Sequence, residues 1–144
     1  MLSVYRKADE SDLRSWLRRS WFGWIEFYEP GIGGGTGYPD VQLLLPESLR
    51  LLPIELKIGT IKNGRVYSER IRPAQIGWHA RYSHAGGSAL FCVGVYNSQI
   101  KDFLVLLVDG LSAADWRKGF AITRARPMLA SVAFEKFVLR EFDR

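Results

Sequence analysis

Gly37-Tyr38-Pro39-Asp40-Val41-Gln42-Leu43-Leu44-Leu45 and, after a short break, Leu52-Pro53-Ile54-Glu55-Leu56-Lys57 decide how this chain is read. Both stretches are apolar and β-type, and each carries charge near one end. The first contributes one carboxylate, Asp40. The second contributes a carboxylate and an amine two residues apart. Side chains alternate faces along a strand, so Glu55 and Lys57 emerge on the same face. Leu56, Ile54 and Ile58 mark that strand as well buried, where charges are costly unless they have partners or a task. Val41–Leu45 is almost continuously apolar and is expected to be covered on both faces.

Working outward, residues 8–20 predict a helix. Asp9 or Ser11 caps it, and Asp9, Glu10 and Asp12 suit the positive end of its dipole. Leu13, Trp16, Leu17 and Trp21 recur at helical spacing and face the core. Arg14, Arg18 and Arg19 lie off that stripe, either as a solvated face or as phosphate contacts. Residues 24–29 alternate as a strand. The run Gly31-Ile32-Gly33-Gly34-Gly35-Thr36-Gly37 is not a phosphate loop: no Lys-Ser/Thr follows it, and no G-x-G-x-x-G leads into a helix. It is either a loop that lets backbone approach a bulky ligand or a long turn.

Beyond the pair of strands, residues 59–68 are polar, with Asn63-Gly64 as a turn. A helix is expected from Arg72-Pro73-Ala74-Gln75 to about residue 84, with Pro73 in its first turn and Gly86-Gly87 after its end. Residues 89–96 and 102–108 are apolar strands. A short helix is expected over 112–118 and a longer one over 127–142. The sum is one α/β domain over 1–144: a mixed sheet flanked by helices.

Bulk properties bound the function classes. The chain has 144 residues, 47% hydrophobic and 24% charged, which excludes a disordered protein. The net charge of +5 is suited to a polyanionic partner. Cys92, the only cysteine, stands in an apolar strand as a buried thiol, so no internal disulfide exists. No apolar run reaches the roughly 20 residues of a membrane span, and the N-terminus lacks a signal-peptide core. No membrane association and an intracellular, cytoplasmic location are expected. His79 and His84 are five residues apart and do not share a helical face, so they are expected to be surface or packed histidines. Trp21, Trp24 and Tyr38 are candidates for stacking on a splayed base.

Pro39-Asp40, Glu55-Leu56-Lys57 and Gln75, with a helix before and a helix starting near the glutamine, resemble the PD-(D/E)xK nuclease superfamily. Gly37-Tyr38-Pro39-Asp40-Val41, Pro53-Ile54-Glu55-Leu56-Lys57 and Arg72-Pro73-Ala74-Gln75-Ile76-Gly77-Trp78-His79 are most similar to VRR-type nucleases and to phage and archaeal Holliday-junction resolvases. The resemblance spans roughly residues 8–96. It implies a restriction-endonuclease-like α-β-β-β-α-β core with an added C-terminal helix. It implies Mg²⁺, with Mn²⁺ as a substitute and no organic cofactor, held by Asp40, Glu55 and the Leu56 backbone carbonyl. Lys57 would act beside the metal, and Gln75 would hydrogen-bond the attacking water or Lys57. A further acid is implied from the first helix: Glu10, with Glu26 and Glu29 as competitors. Arg14, Arg18, Arg19, Lys62, Arg65, Arg70 and Arg72 would contact DNA phosphates. The implied activity is a structure-selective endonuclease on branched DNA, a junction resolvase working as a homodimer. The alternatives are a flap, nick or restriction-like repair nuclease, or a DNA-binding module that has lost activity.

Overall fold

The computed structural model describes residues 8–28, 37–69, 71–110, 120–121, 126–128 and 131–144. Helix α1, Glu10–Ser20, starts where expected: Asp9 Oδ1 accepts from the Asp12 N–H and Asp12 Oδ2 accepts from the Asp9 N–H, a reciprocal cap. Strands β1 (Ile25–Phe27), β2 (Val41–Leu44) and β3 (Leu51–Lys62) follow as an antiparallel meander. β3 is longer than its apolar stretch. The polar residues Gly59–Lys62 continue it into a hairpin with β4 (Arg65–Ser68). Asn63 and Gly64 make that turn at φ 52° and 72°, the left-handed pair a tight two-residue hairpin demands.

Helix α2, Pro73–His84, carries the chain over to β5 (Leu90–Asn97), which pairs parallel with β3. β6 (Asp102–Asp109) returns antiparallel. β7 (Phe120–Ala121) pairs with β4, and β8 (Arg126–Met128) lies outside β6. The main sheet order is β1-β2-β3-β5-β6-β8, and helix α3, Ser131–Phe142, closes the chain. Among the described residues the architecture is α/β, with a mixed open sheet and three helices.

The long C-terminal helix predicted from residue 127 is corrected: Arg126–Met128 is strand, and the helix starts at Ser131. Pro127 suggests a first helical turn, but it also tolerates an outermost strand, where no neighbour needs its missing N–H. Phe134, Phe137 and Val138 are buried, while Ala133 and Lys136 are exposed. The predicted helix over 112–118, Glu29, Arg70 and the glycine run 31–36 lie outside the described residues.

Two cores sandwich the sheet. Leu13, Trp16 and Leu17 of α1 and Phe134 and Val138 of α3 meet Ile54, Leu56, Leu90 and Cys92 on one face. Trp16 and Phe134 meet edge to face, with ring centroids 5.5 Å apart. The other face packs Phe91, Val93, Leu106 and Val108 with Val66 and Ile71. Period two along β3 therefore sends Ile54 and Leu56 to the first core and Glu55 and Lys57 to the second face. Cys92 is fully buried and its thiol is pushed up to about 12, which leaves it a packing group. Among the described residues no helix is long and apolar enough to cross a membrane.

Candidate functional site

The β2–β3 pairing sets the first contact. Val41 lies opposite Ile54, so Asp40, one residue earlier, comes beside Glu55. Asp40 Oδ2 accepts a hydrogen bond from the Leu56 N–H at 3.0 Å, which ties the start of β2 to the middle of β3. Helix α2 supplies the second contact. Gln75 uses both ends of its amide: Oε1 accepts from the Arg72 N–H at 2.9 Å, capping the helix, and Nε2 donates to Glu55 Oε1 at 2.5 Å. The capping and site roles, separable on paper, are one arrangement. Gln75 meets Glu55 rather than Lys57. Lys57 Nζ lies 3.9 Å from the same Glu55 oxygen.

This cluster is dry. Glu55 is 3% exposed, Lys57 7% and Gln75 3%. Glu55 Oε2 is buried without a hydrogen-bond partner. Burial first, then repulsion from the Asp40 carboxylate, raise the Glu55 carboxyl far above the usual carboxylate range, against the opposing pull of Lys57. Burial and the neighbouring Asp40 charge thus favour the protonated form of Glu55 in the metal-free protein.

Glu10 joins from the other side of the sheet, at the start of α1. Its carboxyl is raised by burial and then by Asp40, and its charge also acts on Glu55. Arg14 opposes this with a 3.3 Å contact to Glu10 Oε1. Glu26 points elsewhere: it is exposed on β1, and its charge acts on Tyr38. Glu69, absent from the sequence argument, also reaches the group. Its Oε1 accepts from the Ile58 N–H at 2.9 Å, and its charge acts on Glu10. Nothing in local spacing marks Glu69; the β3–β4 hairpin brings it back.

The donor set suits a hard divalent cation in type: carboxylate oxygens of Asp40 and Glu55, one of them without a partner. The Leu56 carbonyl lies next along β3. Among the described residues no group of three or more His, Cys, Asp or Glu side chains is arranged to hold a metal by itself. A cation would rest on few protein ligands, with water and substrate oxygens completing its shell, as Mg²⁺ tolerates.

The basic candidates are dispersed. Arg14 is engaged with Glu10 and with the Tyr28 carbonyl at 3.2 Å. Arg18 lies over the Phe27 ring at 4.9 Å, and Arg19 lies 3.7 Å from Asp102. Lys62 and Arg65 face each other at the tip of the β3–β4 hairpin, and Arg72 is exposed beside Gln75. Trp21 is buried against Phe134 and donates to the Trp24 carbonyl, so it is core and not a stacking surface. His79 is packed, as expected, but inside the protein, with its ring 4.4 Å from that of Phe91.

No protein-family model matches the chain, and no curated protein matches it.

Proposed function

We propose that this chain is a metal-dependent DNA endonuclease of the PD-(D/E)xK type, with a restriction-endonuclease-like core. Its substrate is branched DNA, foremost a four-way junction. The observation that carries the reading is the buried pairing of Glu55 and Lys57 on one strand face, met by Asp40 from the neighbouring strand and Gln75 from the following helix. An ordinary surface salt bridge would not be desolvated, nor would it leave a carboxylate oxygen orphaned.

Asp40, Glu55 and the Leu56 carbonyl would hold Mg²⁺ or Mn²⁺, with Glu10 as a further ligand or an orienting group. When bound, the cation supplies charge neutralisation at the phosphate and a water of lowered pKa. Lys57 stands beside Glu55, where its amine would offset charge building on the scissile phosphate. Gln75 fixes the rotamer of Glu55 through its 2.5 Å bond. The net charge of +5 attracts the phosphate backbone, so binding weakens steeply with salt. A junction presents two strands to cut, which suits a symmetric homodimer.

The test is cleavage of a four-way junction, a flap, a nicked duplex, an intact duplex and a single strand, with and without Mg²⁺. The reading expects Mg²⁺-dependent cutting of the branched substrates. Failure to cut any of them in Mg²⁺ or Mn²⁺ overturns it. Binding without cutting would make the chain a DNA-binding module on the same fold.

A further inference from the structure

Four aromatic rings run outward from the site. Tyr28 meets Tyr38 edge to face at 5.4 Å, Tyr38 meets Trp78 at 5.3 Å, and Trp78 stacks on Tyr82 at 4.8 Å with the rings 16° from parallel. The ladder and the candidate site share two backbone segments. Tyr38 stands two residues before Asp40. Trp78 stands three after Gln75, so the two share a side of α2 one turn apart.

The ladder is braced. The Tyr28 hydroxyl donates to Gln42 Oε1 at 2.8 Å, and the Gln42 amide donates in turn to the Tyr38 hydroxyl. Trp78 leans on His79, whose ring packs on Phe91 of the core. Gly37 has φ +79°, and a Cβ there would collide with the Ala74 carbonyl, so only glycine lets Tyr38 approach Trp78 this closely. Yet the ladder is not sealed. Tyr38 is 39% exposed, and Tyr28, Trp78 and Tyr82 are half-buried.

Its charge surroundings select an occupant. Residues 72–84 contain no carboxylate but carry Arg72 and Arg81, both exposed. The Arg81 guanidinium lies 3.2 Å from where a Cβ on Gly77 would stand, one residue before Trp78. Rigid aromatic faces beside the arginines of a helix without carboxylates fit a base stacked on the rings and its phosphate on the cations, with Glu26 the acid that reaches the Tyr38 end. A paired base inside a duplex has no free face to offer.

We infer that the Tyr38–Trp78–Tyr82 ladder is a stacking platform for an unpaired nucleobase next to the scissile phosphate. Branched DNA with single-stranded character at the branch is then preferred over continuous duplex. This deepens the nuclease reading and rests on it.

The experiment measures binding of wild-type protein in EDTA, so nothing is cut. The probes are a flap carrying 2-aminopurine at the first unpaired nucleotide and a duplex of the same length with 2-aminopurine in a pair. Stacking should quench the flap probe and leave the duplex probe unchanged. Trp78→Ala should lose that quench and weaken flap binding about tenfold, with duplex binding unchanged within about twofold. Trp78→Phe, which keeps a ring at the position, should retain most of the quench and guards against a folding defect. Equal weakening of flap and duplex in Trp78→Ala, or an undiminished quench, overturns the platform while leaving the nuclease reading intact. Wild-type protein that binds neither probe overturns the platform, while the nuclease reading stands or falls on the cleavage panel.

Discussion

Replacing Glu55 by glutamine should make the metal-free protein more stable, and increasingly so as pH rises. Glu55 is 3% exposed, and its folded-state pKa is raised from an ordinary value of 4.5 by burial and by Asp40. The folded protein therefore keeps a proton that the unfolded chain releases. The stability tied to that proton is complete below pH 4.5 and is lost as pH rises toward the raised value. Within that window one proton is released on unfolding, and each pH unit costs about 1.4 kcal/mol. Glutamine has no proton to release. Its amide keeps the oxygen that meets Gln75 and puts an N–H₂ at the position of the orphaned Oε2. Urea unfolding in EDTA should show the gap between Glu55→Gln and wild type widening by roughly 2 to 3 kcal/mol from pH 6 to pH 8. Taking the difference cancels titrating groups that do not act on Glu55, His79 included. A gap that changes by less than about 0.5 kcal/mol over that range, a fraction of the one-proton slope, refutes the view of Glu55 as a buried, protonated acid. Repeating the titration with saturating Mg²⁺ should flatten the wild-type slope and leave the variant's unchanged.

Lys57→Ala should abolish Mg²⁺-dependent cleavage while binding of a four-way junction in EDTA stays within about threefold, since one buried ammonium adds little to a phosphate-driven affinity; a gel-shift and cleavage pair checks both. Asp40→Asn keeps an acceptor for the Leu56 N–H but removes the charge that repels Glu55 and Glu10, so it should stabilise the metal-free fold at pH 8 by roughly 1 kcal/mol and end cleavage. His79 is buried and pushed down to about 4, so the stability of its neutral form is present above the unfolded value of 6.5 and lost as pH falls toward 4. His79→Phe should remove about 1.4 kcal/mol per pH unit of acid sensitivity in that window, read by thermal unfolding at pH 4.5 to 6.5. Gly37→Ala, placed at φ +79° against the Ala74 carbonyl, should cost about 2 kcal/mol and shift the near-ultraviolet circular dichroism of the Tyr38–Trp78 contact.

The parts legible in the sequence are those that local rules fix. Apolar runs located β2, β3, β5 and β6, and period two was enough to put Glu55 and Lys57 on one face. Asp9 and Asp12 announced the start of α1. What escaped depends on distant partners. The inward face of α2 is polar, Gln75 and His79, because it packs on a site and not only on a core. The apolar rings of Trp78 and Tyr82, the residues that spacing rules would put inward, lie along its half-buried side. Pro127 reads equally well as a helix start or an edge-strand residue, and only the free side of β6 decides between them. Glu69 carries no positional signature at all. It enters the acidic group because β3 runs four residues past its apolar stretch before turning at Asn63-Gly64.

That acidic group explains why the site is built as it is. Glu10, Asp40, Glu55 and Glu69 converge, and among the described residues Lys57 and Arg14 offset them. The fold disposes of three carboxylates one by one: Asp40 takes the Leu56 N–H, Glu69 takes the Ile58 N–H, and Arg14 takes Glu10. Glu55 is left with the Gln75 amide, a lysine at 3.9 Å and the Asp40 carboxyl beside it, surroundings that favour its protonated form. A cation arriving at Glu55 must displace that proton, and its affinity should therefore climb with pH over the same range in which the empty fold weakens. The two effects share one cause. A residue chosen for stability alone would be the neutral amide; retaining the acid trades stability in the empty state for charge that appears only when a cation can use it.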